Sequence, residues 1–236
     1  KNLAINAGDS LHNLMWKVLI DNSKILGSKK ASQIQEEFYQ MLHRTIFGQT
    51  VEIKWIEKNK LDFRDEDVFF ISESKTVYYT VAGPMRLGAI LADASEKQLD
   101  LIYKFAQPLG QAFQLRDDLL DLTSDFAGLK KQQGNDIYEG KRTVMLSHLL
   151  RTIDIKEKQK LIKILGKRRK EKSQQEVNWV IKMMMKYGSL AYGQKLAGQL
   201  AFKAKEIFQN ELDFLSYQPF RDELLAGIDF MVKREY

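Results

Sequence analysis

The amino-acid sequence predicts one all-α domain over residues 1–236. Apolar residues recur three and four positions apart through most of the chain, which is the spacing of one face of an α-helix. Runs in which apolar and polar residues alternate, as in a half-buried strand, are scarce. The sequence contains only three prolines, so long helices can continue with few interruptions.

Breaks in the apolar spacing divide the chain into helical segments. The first two segments show the spacing most clearly, in Leu11, Leu14, Met15, Val18 and Leu19 and then in Phe38, Met41, Leu42 and Ile46. Breaks are expected at Gly27-Ser28, 57–65, 93–95, 125–140 and 166–175. Ser95 and Gln98 form the pattern of a capping box, which predicts a helix start there. Pro108 is expected to open or bend the helix that follows.

The composition restricts the class of protein. The net charge of +6 suits a protein that meets phosphate groups. The absence of cysteine excludes disulfides and thiolate metal sites. No apolar run approaches the roughly 20 residues needed to cross a bilayer, and the first residues do not resemble a signal peptide. We therefore expect a cytoplasmic protein without stable membrane insertion.

The densest basic run is K-R-R-K-E-K, residues 167–172. No aromatic residues are interleaved with it, and no recognition-helix pattern accompanies it. We interpret it as a solvated loop or helix end rather than a binding patch, and we expect no nucleic-acid partner.

The most informative motif is F-Q-L-R-D-D-L-L-D, residues 113–121. Asp117 and Asp121 are four residues apart and share a helix face, with Asp118 on its flank. A divalent cation would relieve the repulsion among these carboxylates. Magnesium typically combines one or two carboxylates with water and phosphate oxygens, so the motif predicts a magnesium-bridged phosphate ligand. An exposed charged helix is the alternative, but interleaved leucines indicate a packed one.

The residues that follow this motif suit a diphosphate. Lys131 and Lys141 could neutralise charge that the metal leaves uncompensated. Glycines at 134 and 140 allow backbone to approach an anion closely. Taken alone, these lysines could equally be solvated residues of a charged loop.

Residues 113–143 resemble the second aspartate-rich region of the trans-isoprenyl diphosphate synthases, the polyprenyl synthetases. Three other segments resemble the same family in order and spacing: A-I-N-A-G-D at 4–9, G-Q-T-V-E at 48–52 and K-T-V-Y-Y at 75–79. Glu52 stands where the family usually has aspartate. The resemblance extends over essentially the whole chain, and it implies a bundle of long helices around a deep cavity.

The resemblance implies roles for the acidic and basic residues. Asp117 and Asp121 would bind magnesium directly, and Asp118 would be a ligand or would support one. Lys75 would hold the allylic diphosphate. Lys131 and Lys141 would complete the set of diphosphate contacts.

It also implies roles for four neutral residues. Thr76 and Gln114 would stabilise an allylic cation with their dipoles. Gln49 and Phe113 would lie at the substrate, with Phe113 beside the isopentenyl chain. Gln114 as a hydrogen-bonded core amide and Phe113 as an ordinary core residue are the structural alternatives.

The implied reaction is the head-to-tail condensation of isopentenyl diphosphate with an allylic diphosphate through a carbocation. The family's first D-D-x-x-D motif lies upstream of A-I-N-A-G-D, where this chain begins. We therefore expect an excerpt, a fragment or half of a split enzyme, completed by an upstream segment or a separate N-terminal chain. We also expect a homodimer, by resemblance alone. A non-catalytic regulatory subunit of a heteromeric prenyl synthase is the alternative, and a class I terpene cyclase is disfavoured by the lysines.

Overall fold

The structure is a computed structural model that describes residues 2–123 and 133–233. Every regular element in these residues is a helix, which confirms the predicted fold class. The elements are α1 (Asn2–Leu26), α2 (Ser28–Glu57), α3 (Asp65–Ser72), a π-helical segment (Glu73–Ala82), α4 (Gly83–Leu91), α5 (Glu96–Thr123), α6 (Asn135–Glu139), α7 (Val144–Thr152), α8 (Ile155–Leu165), a 3-10 turn (Arg169–Glu171), α9 (Gln174–Lys186), α10 (Ser189–Glu211) and α11 (Phe220–Lys233).

Local signals place several helix boundaries correctly, whereas the breaks at 153–154, 187–188 and 212–219 were not predicted. Gly27, with φ 76°, separates α1 from α2, and the expected breaks at 57–65, 93–95 and 166–175 are present. At the start of α5, the Ser95 backbone N–H donates to Gln98 Oε1 at 2.8 Å, and the Gln98 N–H donates to Ser95 Oγ at 3.4 Å. The predicted capping box is therefore confirmed.

Two boundary expectations need correction. Pro108 does not open a helix, because α5 continues through it from Glu96 to Thr123, and a bend of α5 at Pro108, the other form of the expectation, stays a prediction. A proline removes one backbone hydrogen bond, and the buried surface of α5 on both sides of it outweighs that loss. The expected break at 125–140 contains the short helix α6, and its first part, up to residue 132, lies outside the described residues.

Helix α5 joins two hydrophobic cores. Its first half contributes Phe105 and Leu109 to a core shared with α1, α2, α10 and α11. Its second half contributes Leu115 and Leu119 to a core built mainly by α7, α8 and α9. The packing of the second half fixes the orientation of the aspartates that it carries. Within the described residues, no helix combines the length and the apolar character needed to cross a membrane.

Helix α3 and helix α4 are joined by the π-helical segment without a break in direction. The junction residues Glu73 (φ −60°, ψ −48°) and Gly83 (φ −60°, ψ −51°) both have right-handed helical dihedrals. In a π-helix each backbone N–H bonds to the carbonyl five residues before it instead of four. Turns of π-helix are frequent at functional sites. This segment carries Lys75 and Thr76.

Candidate functional site

Two glycines let three helical elements approach closely around the site. A Cβ atom at Gly48 of α2 would lie 2.8 Å from the backbone N of Lys75 and 2.9 Å from Ser74 Cβ. A Cβ atom at Gly110 of α5 would lie 2.7 Å from Val77 Cγ1. Any larger residue would force these elements apart, so the glycines set the distance from α2 and α5 to the π-helical segment.

The close approach pairs Lys75 with Glu52. The Lys75 Nζ atom lies 2.5 Å from Glu52 Oε2. Glu52 is buried, whereas the Lys75 side chain keeps 29% of its surface exposed. Thr76, the next residue, is buried. The longer side chain of glutamate, in place of the family's aspartate, spans the gap between the two helices.

Asp118 is the most buried carboxylate of the motif, at 3% exposure. It accepts hydrogen bonds from Lys141 Nζ at 2.6 Å and from Gln114 Nε2 at 2.8 Å. The amide nitrogen of Gln114 is therefore committed to Asp118, which leaves its carbonyl dipole available for a ligand.

Asp121 fixes the start of α6. Its Oδ2 accepts from the Asp136 backbone N–H at 2.9 Å, and its backbone carbonyl accepts from the Gly134 N–H at 2.8 Å. Burial raises the pKa of Asp121, an effect opposed by the Asp136 N–H and by Lys141. These hydrogen bonds thus hold the Asp121 carboxyl group in place, while burial still disfavours its ionised form.

Asp136 is a site residue that sequence reasoning did not identify. Its Oδ2 lies 3.2 Å from Lys141 Nζ. Burial, reinforced by the charges of Asp118 and Asp121, raises the pKa of Asp136 to about 7. In the sequence it belongs to the G-N-D segment, residues 134–136, that follows the aspartate-rich motif, but no role was assigned to its side chain.

A single ammonium therefore lies among three carboxylates. Burial opposes the charge of Lys141, but Asp118 and Asp136 outweigh that effect and raise its pKa above the ordinary lysine value. Lys141 forms ion pairs with Asp118 and Asp136, and its charge also acts on Asp121. Burial, reinforced by the neighbouring carboxylates, nevertheless keeps the pKa values of Asp121 and Asp136 raised, and a further cation at this place would lower them.

Asp118 and Lys141 border a cavity of about 60 Å³, whereas Asp121 and Asp136 do not belong to its lining. Its lining residues are Glu52, Val68, Ile71, Ser72, Lys75, Thr76, Gln114, Asp118, Lys141 and Arg142. The hydroxyl of Ser72 is buried and has no hydrogen-bond partner among the described residues. A cavity of this size holds about two water molecules. A polar ligand atom or a water at Ser72 would satisfy the hydroxyl.

Magnesium fits the donor set, although the ligands are not preassembled. Within residues 2–123 and 133–233, no three acidic or histidine side chains converge on a point where an ion could be held. Asp118 is occupied by Lys141 and Gln114, and Asp121 by a backbone N–H. The oxygen donors and the surplus of carboxylates match the preference of magnesium.

The remaining predicted residues are less closely tied to the cavity. Gln49, Phe113 and Asp117 are each partly buried on their helices. They do not belong to the lining of the 60 Å³ cavity. Lys131 lies outside the described residues. The proposed roles of all four residues therefore stay predictions.

Arg142 supports the site by holding the turn that precedes Lys141. Its guanidinium donates to Lys60 O at 2.9 Å, to Asn59 Oδ1 at 2.7 Å and to Gly140 O. Burial lowers the pKa of Arg142 to about 10. These contacts fix the turn at Gly140, which has φ 77°, immediately before Lys141.

The interpretation of residues 167–172 as a solvated loop is wrong at Lys172, and the exposed Arg169 also contacts α6. Lys172 is only 7% exposed and donates to the backbone carbonyls of Ile137 at 2.9 Å and Tyr138 at 3.0 Å. Arg169 donates to Asn135 Oδ1 at 2.9 Å and pairs with Glu139. Chain-local patterns could not reveal this, because the partners lie about 30 residues away on α6.

Comparisons with known proteins all indicate one protein family. A family model described as "Polyprenyl synthetase" matches residues 1–184. The chain is 29% identical over 234 residues to the short chain isoprenyl diphosphate synthase of Methanothermobacter thermautotrophicus, covering 99% of this chain and 68% of that protein. It is also 29% identical over 186 residues to the protein of the same name from Methanocaldococcus jannaschii, covering 78% and 55% respectively.

Solved structures of synthases have a similar fold. A geranylgeranyl pyrophosphate synthase from Corynebacterium glutamicum, crystallised with isoprenyl diphosphate and magnesium, superposes with a TM-score of 0.86 at 26% identity. The alignment covers 99% of this chain and 63% of that one. The corresponding synthetase from Pyrococcus horikoshii gives a TM-score of 0.82 at 28% identity, covering 100% and 68%. The chain thus spans between about half and two thirds of the length of these relatives.

Proposed function

This chain belongs to the polyprenyl synthetase family, and we propose that it takes part in the head-to-tail condensation of isopentenyl diphosphate with an allylic diphosphate. One observation carries the proposal. The buried Asp118 and the partly buried Asp121 and Asp136 surround the Lys141 ammonium, beside a cavity that Asp118, Lys141 and Lys75 line. Such a site has oxygen ligands for a cation and ammonium groups for a diphosphate.

Magnesium is the metal we propose, with Asp117 and Asp121 as its ligands and Asp118 as a ligand or as a support for one. When bound, it would act as a Lewis acid that stabilises negative charge on the departing diphosphate. Asp121 is already oriented by the Asp136 N–H. Asp118 is oriented by Gln114. The protein therefore contributes carboxylates whose directions are fixed before a ligand arrives.

Lys75 and Lys141 would hold the diphosphate, with Lys131 as a third contact. In the structure both described lysines are paired with carboxylates, Lys75 with Glu52 and Lys141 with Asp118. A diphosphate would compete with these carboxylates for the lysine ammonium groups. Magnesium would then compensate the negative charge of the carboxylates that lose their lysine partners. Metal and diphosphate should accordingly bind together more tightly than either does alone.

Thr76 and Gln114 would act on the allylic cation. Both line the cavity beside Lys75. A hydroxyl and an amide carbonyl present negative dipole ends to a carbocation without a full charge that would capture it. Val68 and Ile71 give the same cavity an apolar side, which would help to exclude water. Gln49 and Phe113 are proposed to contact the substrates at its border.

The proposal also includes partners. The relatives are longer than the matched region, so we propose that a further segment, in the same polypeptide or as a separate N-terminal chain, supplies the first D-D-x-x-D motif. Native mass spectrometry of the protein from its source distinguishes the two forms. A single longer polypeptide overturns the split-enzyme version alone.

We further propose a homodimer that uses α1. Leu11, Leu14, Val18 and Ile25 recur along one face of this helix and are 58–82% exposed. An apolar stripe of this kind is typical of a helix–helix interface. Leu14→Glu should convert the dimer to a monomer in sedimentation experiments, and an unchanged sedimentation coefficient would exclude α1 from the interface.

The test of the activity is Asp121→Ala in the complete native protein, with Asp100→Asn, an exposed change on the same helix, as control. We expect the first variant to lose about 100-fold or more in turnover with magnesium and both substrates, and the control to match the wild type. Turnover within about twofold of wild type in Asp121→Ala would overturn the site assignment.

Calorimetry distinguishes the enzyme from a regulatory subunit. A catalytic chain should bind inorganic diphosphate in the presence of magnesium, and Asp121→Ala should abolish that binding. A wild-type protein that joins a heteromeric synthase but neither binds diphosphate nor turns over substrate supports the regulatory alternative. Hydrocarbon products in place of longer diphosphates support the cyclase alternative.

A further inference from the structure

The connection between α8 and α9 reaches across to α6. Lys172 of this connection directs its ammonium at the last turn of α6, where it donates to the carbonyls of Ile137 and Tyr138 at 2.9 and 3.0 Å. Carbonyls at the C-terminal end of a helix have no partner within the helix. Lys172 therefore adds a side-chain donor at this end of α6, where the Ile137 carbonyl also accepts from the Gly140 backbone N–H at 3.2 Å.

Helix α6 depends on such external contacts. It has five residues, well below the roughly 12 at which an isolated helix becomes even marginally stable. Arg169 binds its first and last residues through Asn135 Oδ1 and the Glu139 carboxylate. The Tyr138 hydroxyl donates to Gln174 Oε1 at 3.0 Å. The connection between α8 and α9 and the first residue of α9 thus hold α6 along its length.

The position of α6 determines the position of two site groups. The N–H of Asp136, in α6, orients the Asp121 carboxylate. Gly140, which follows α6, leads directly into Lys141. A Cβ atom at Gly140 would lie 3.3 Å from Arg142 Nη1 and 3.6 Å from Lys172 Nζ, so this turn is enclosed by two buried cations.

We propose that Lys172 is a positioning residue for the diphosphate site: it holds the end of α6 and the Gly140 turn so that the Lys141 ammonium and the Asp121 carboxylate face the same ligand. The inference rests on the proposed function. Lys172 itself touches no substrate group, because both its hydrogen bonds go to backbone carbonyls. A neutral side chain of similar length would fill the space but remove both side-chain hydrogen bonds, and the Ile137 carbonyl would keep only the Gly140 N–H, at a cost to the order of the turn.

The experiment compares Lys172→Met with Lys170→Met in the complete native protein. Both changes remove one charge from the same basic run, but Lys170 is exposed. We expect faster amide hydrogen exchange at residues 134–141 and about tenfold or more weaker binding of inorganic diphosphate with magnesium in Lys172→Met alone. In steady-state assays the variant should raise KM for the diphosphate substrates more than it lowers kcat.

Equal diphosphate affinities in the two variants would overturn the proposal, even if exchange differs. If the wild type binds no diphosphate, the proposed function fails, and equal exchange rates in the two variants then overturn the positioning role separately. Should Lys172→Met not fold, Lys172→Arg keeps two donors and the charge. Its expected affinity lies within about threefold of wild type, and a tenfold loss would overturn the proposal.

Discussion

The Lys75 ammonium lies 2.5 Å from the Glu52 carboxylate, although the two residues are 23 positions apart and belong to different helices. Gly48, one turn before Glu52, allows the backbone of α2 to approach the π-helical segment closely enough for this contact. A lysine expected to hold diphosphate is thus placed and paired by the opposite helix before any ligand binds.

Removal of the Glu52 charge should destabilise the fold. Glu52→Gln leaves the partly buried Lys75 ammonium without a partner, so we expect a loss of about 1–2 kcal/mol in unfolding free energy, less than for a fully buried pair. Glu57→Gln, an exposed change on the same helix, should stay within about 0.5 kcal/mol of wild type. A urea-denaturation cycle with Lys75→Met measures the coupling, and a coupling near zero would refute the pair's contribution.

Gly48→Ala should destabilise the protein by about 1–3 kcal/mol, because the added methyl group would overlap backbone and Cβ atoms that cannot rotate away. Gly88→Ala provides the matched control. It adds the same atom to a helix position with nothing within 4 Å, and it should stabilise by about 0.5–1 kcal/mol. Thermal unfolding followed by circular dichroism tests both signs, and equal effects would contradict the close approach of α2.

Lys141→Met should cost about 3 kcal/mol or more, since it leaves the deeply buried Asp118 carboxylate without its cation. The double variant Lys141→Met with Asp118→Asn should recover part of that loss, because the unpaired charge is removed as well. Denaturant titration at pH 7 measures both changes. A double variant no more stable than Lys141→Met would show that Asp118 is not the group left uncompensated.

The stability of the protein should respond to Lys172 at alkaline pH. Burial, and then the charge of Arg142, lowers the pKa of Lys172 to about 8, while Glu139 and Glu176 oppose the effect and Arg169 adds to it. An unfolded lysine has a pKa of about 10.4. Between these values the unfolded chain holds a proton that the folded protein has released, so rising pH favours the folded state.

The measurement is the difference in unfolding free energy between wild type and Lys172→Met from pH 7 to pH 10. The wild type should gain relative to the variant from about pH 8 upward, and the difference should be constant below that value. Lys170→Met, which alters an exposed lysine, should show no such trend against wild type. A difference in unfolding free energy that does not change with pH would indicate that Lys172 is exposed to solvent and is not buried against α6.

Local sequence patterns are enough to predict the all-α class, the break at Gly27 and the capping box at Ser95. Each depends on residues within a few positions of one another, so a single chain segment contains the whole physical cause. The spacing of Asp117, Asp118 and Asp121 likewise follows from the geometry of one helix. The expected condensation reaction comes from the family resemblance and not from that spacing.

Helix packing brings together groups that are far apart in the sequence. The pairing of Lys75 with Glu52, the place of Asp136 among the carboxylates and the burial of Lys172 beneath α6 all join separate elements. Their energies depend on desolvation and on interhelical distance, which have no signature in local sequence. Packing also overrode a local rule at Pro108, because the buried surface of α5 outweighs one missing hydrogen bond.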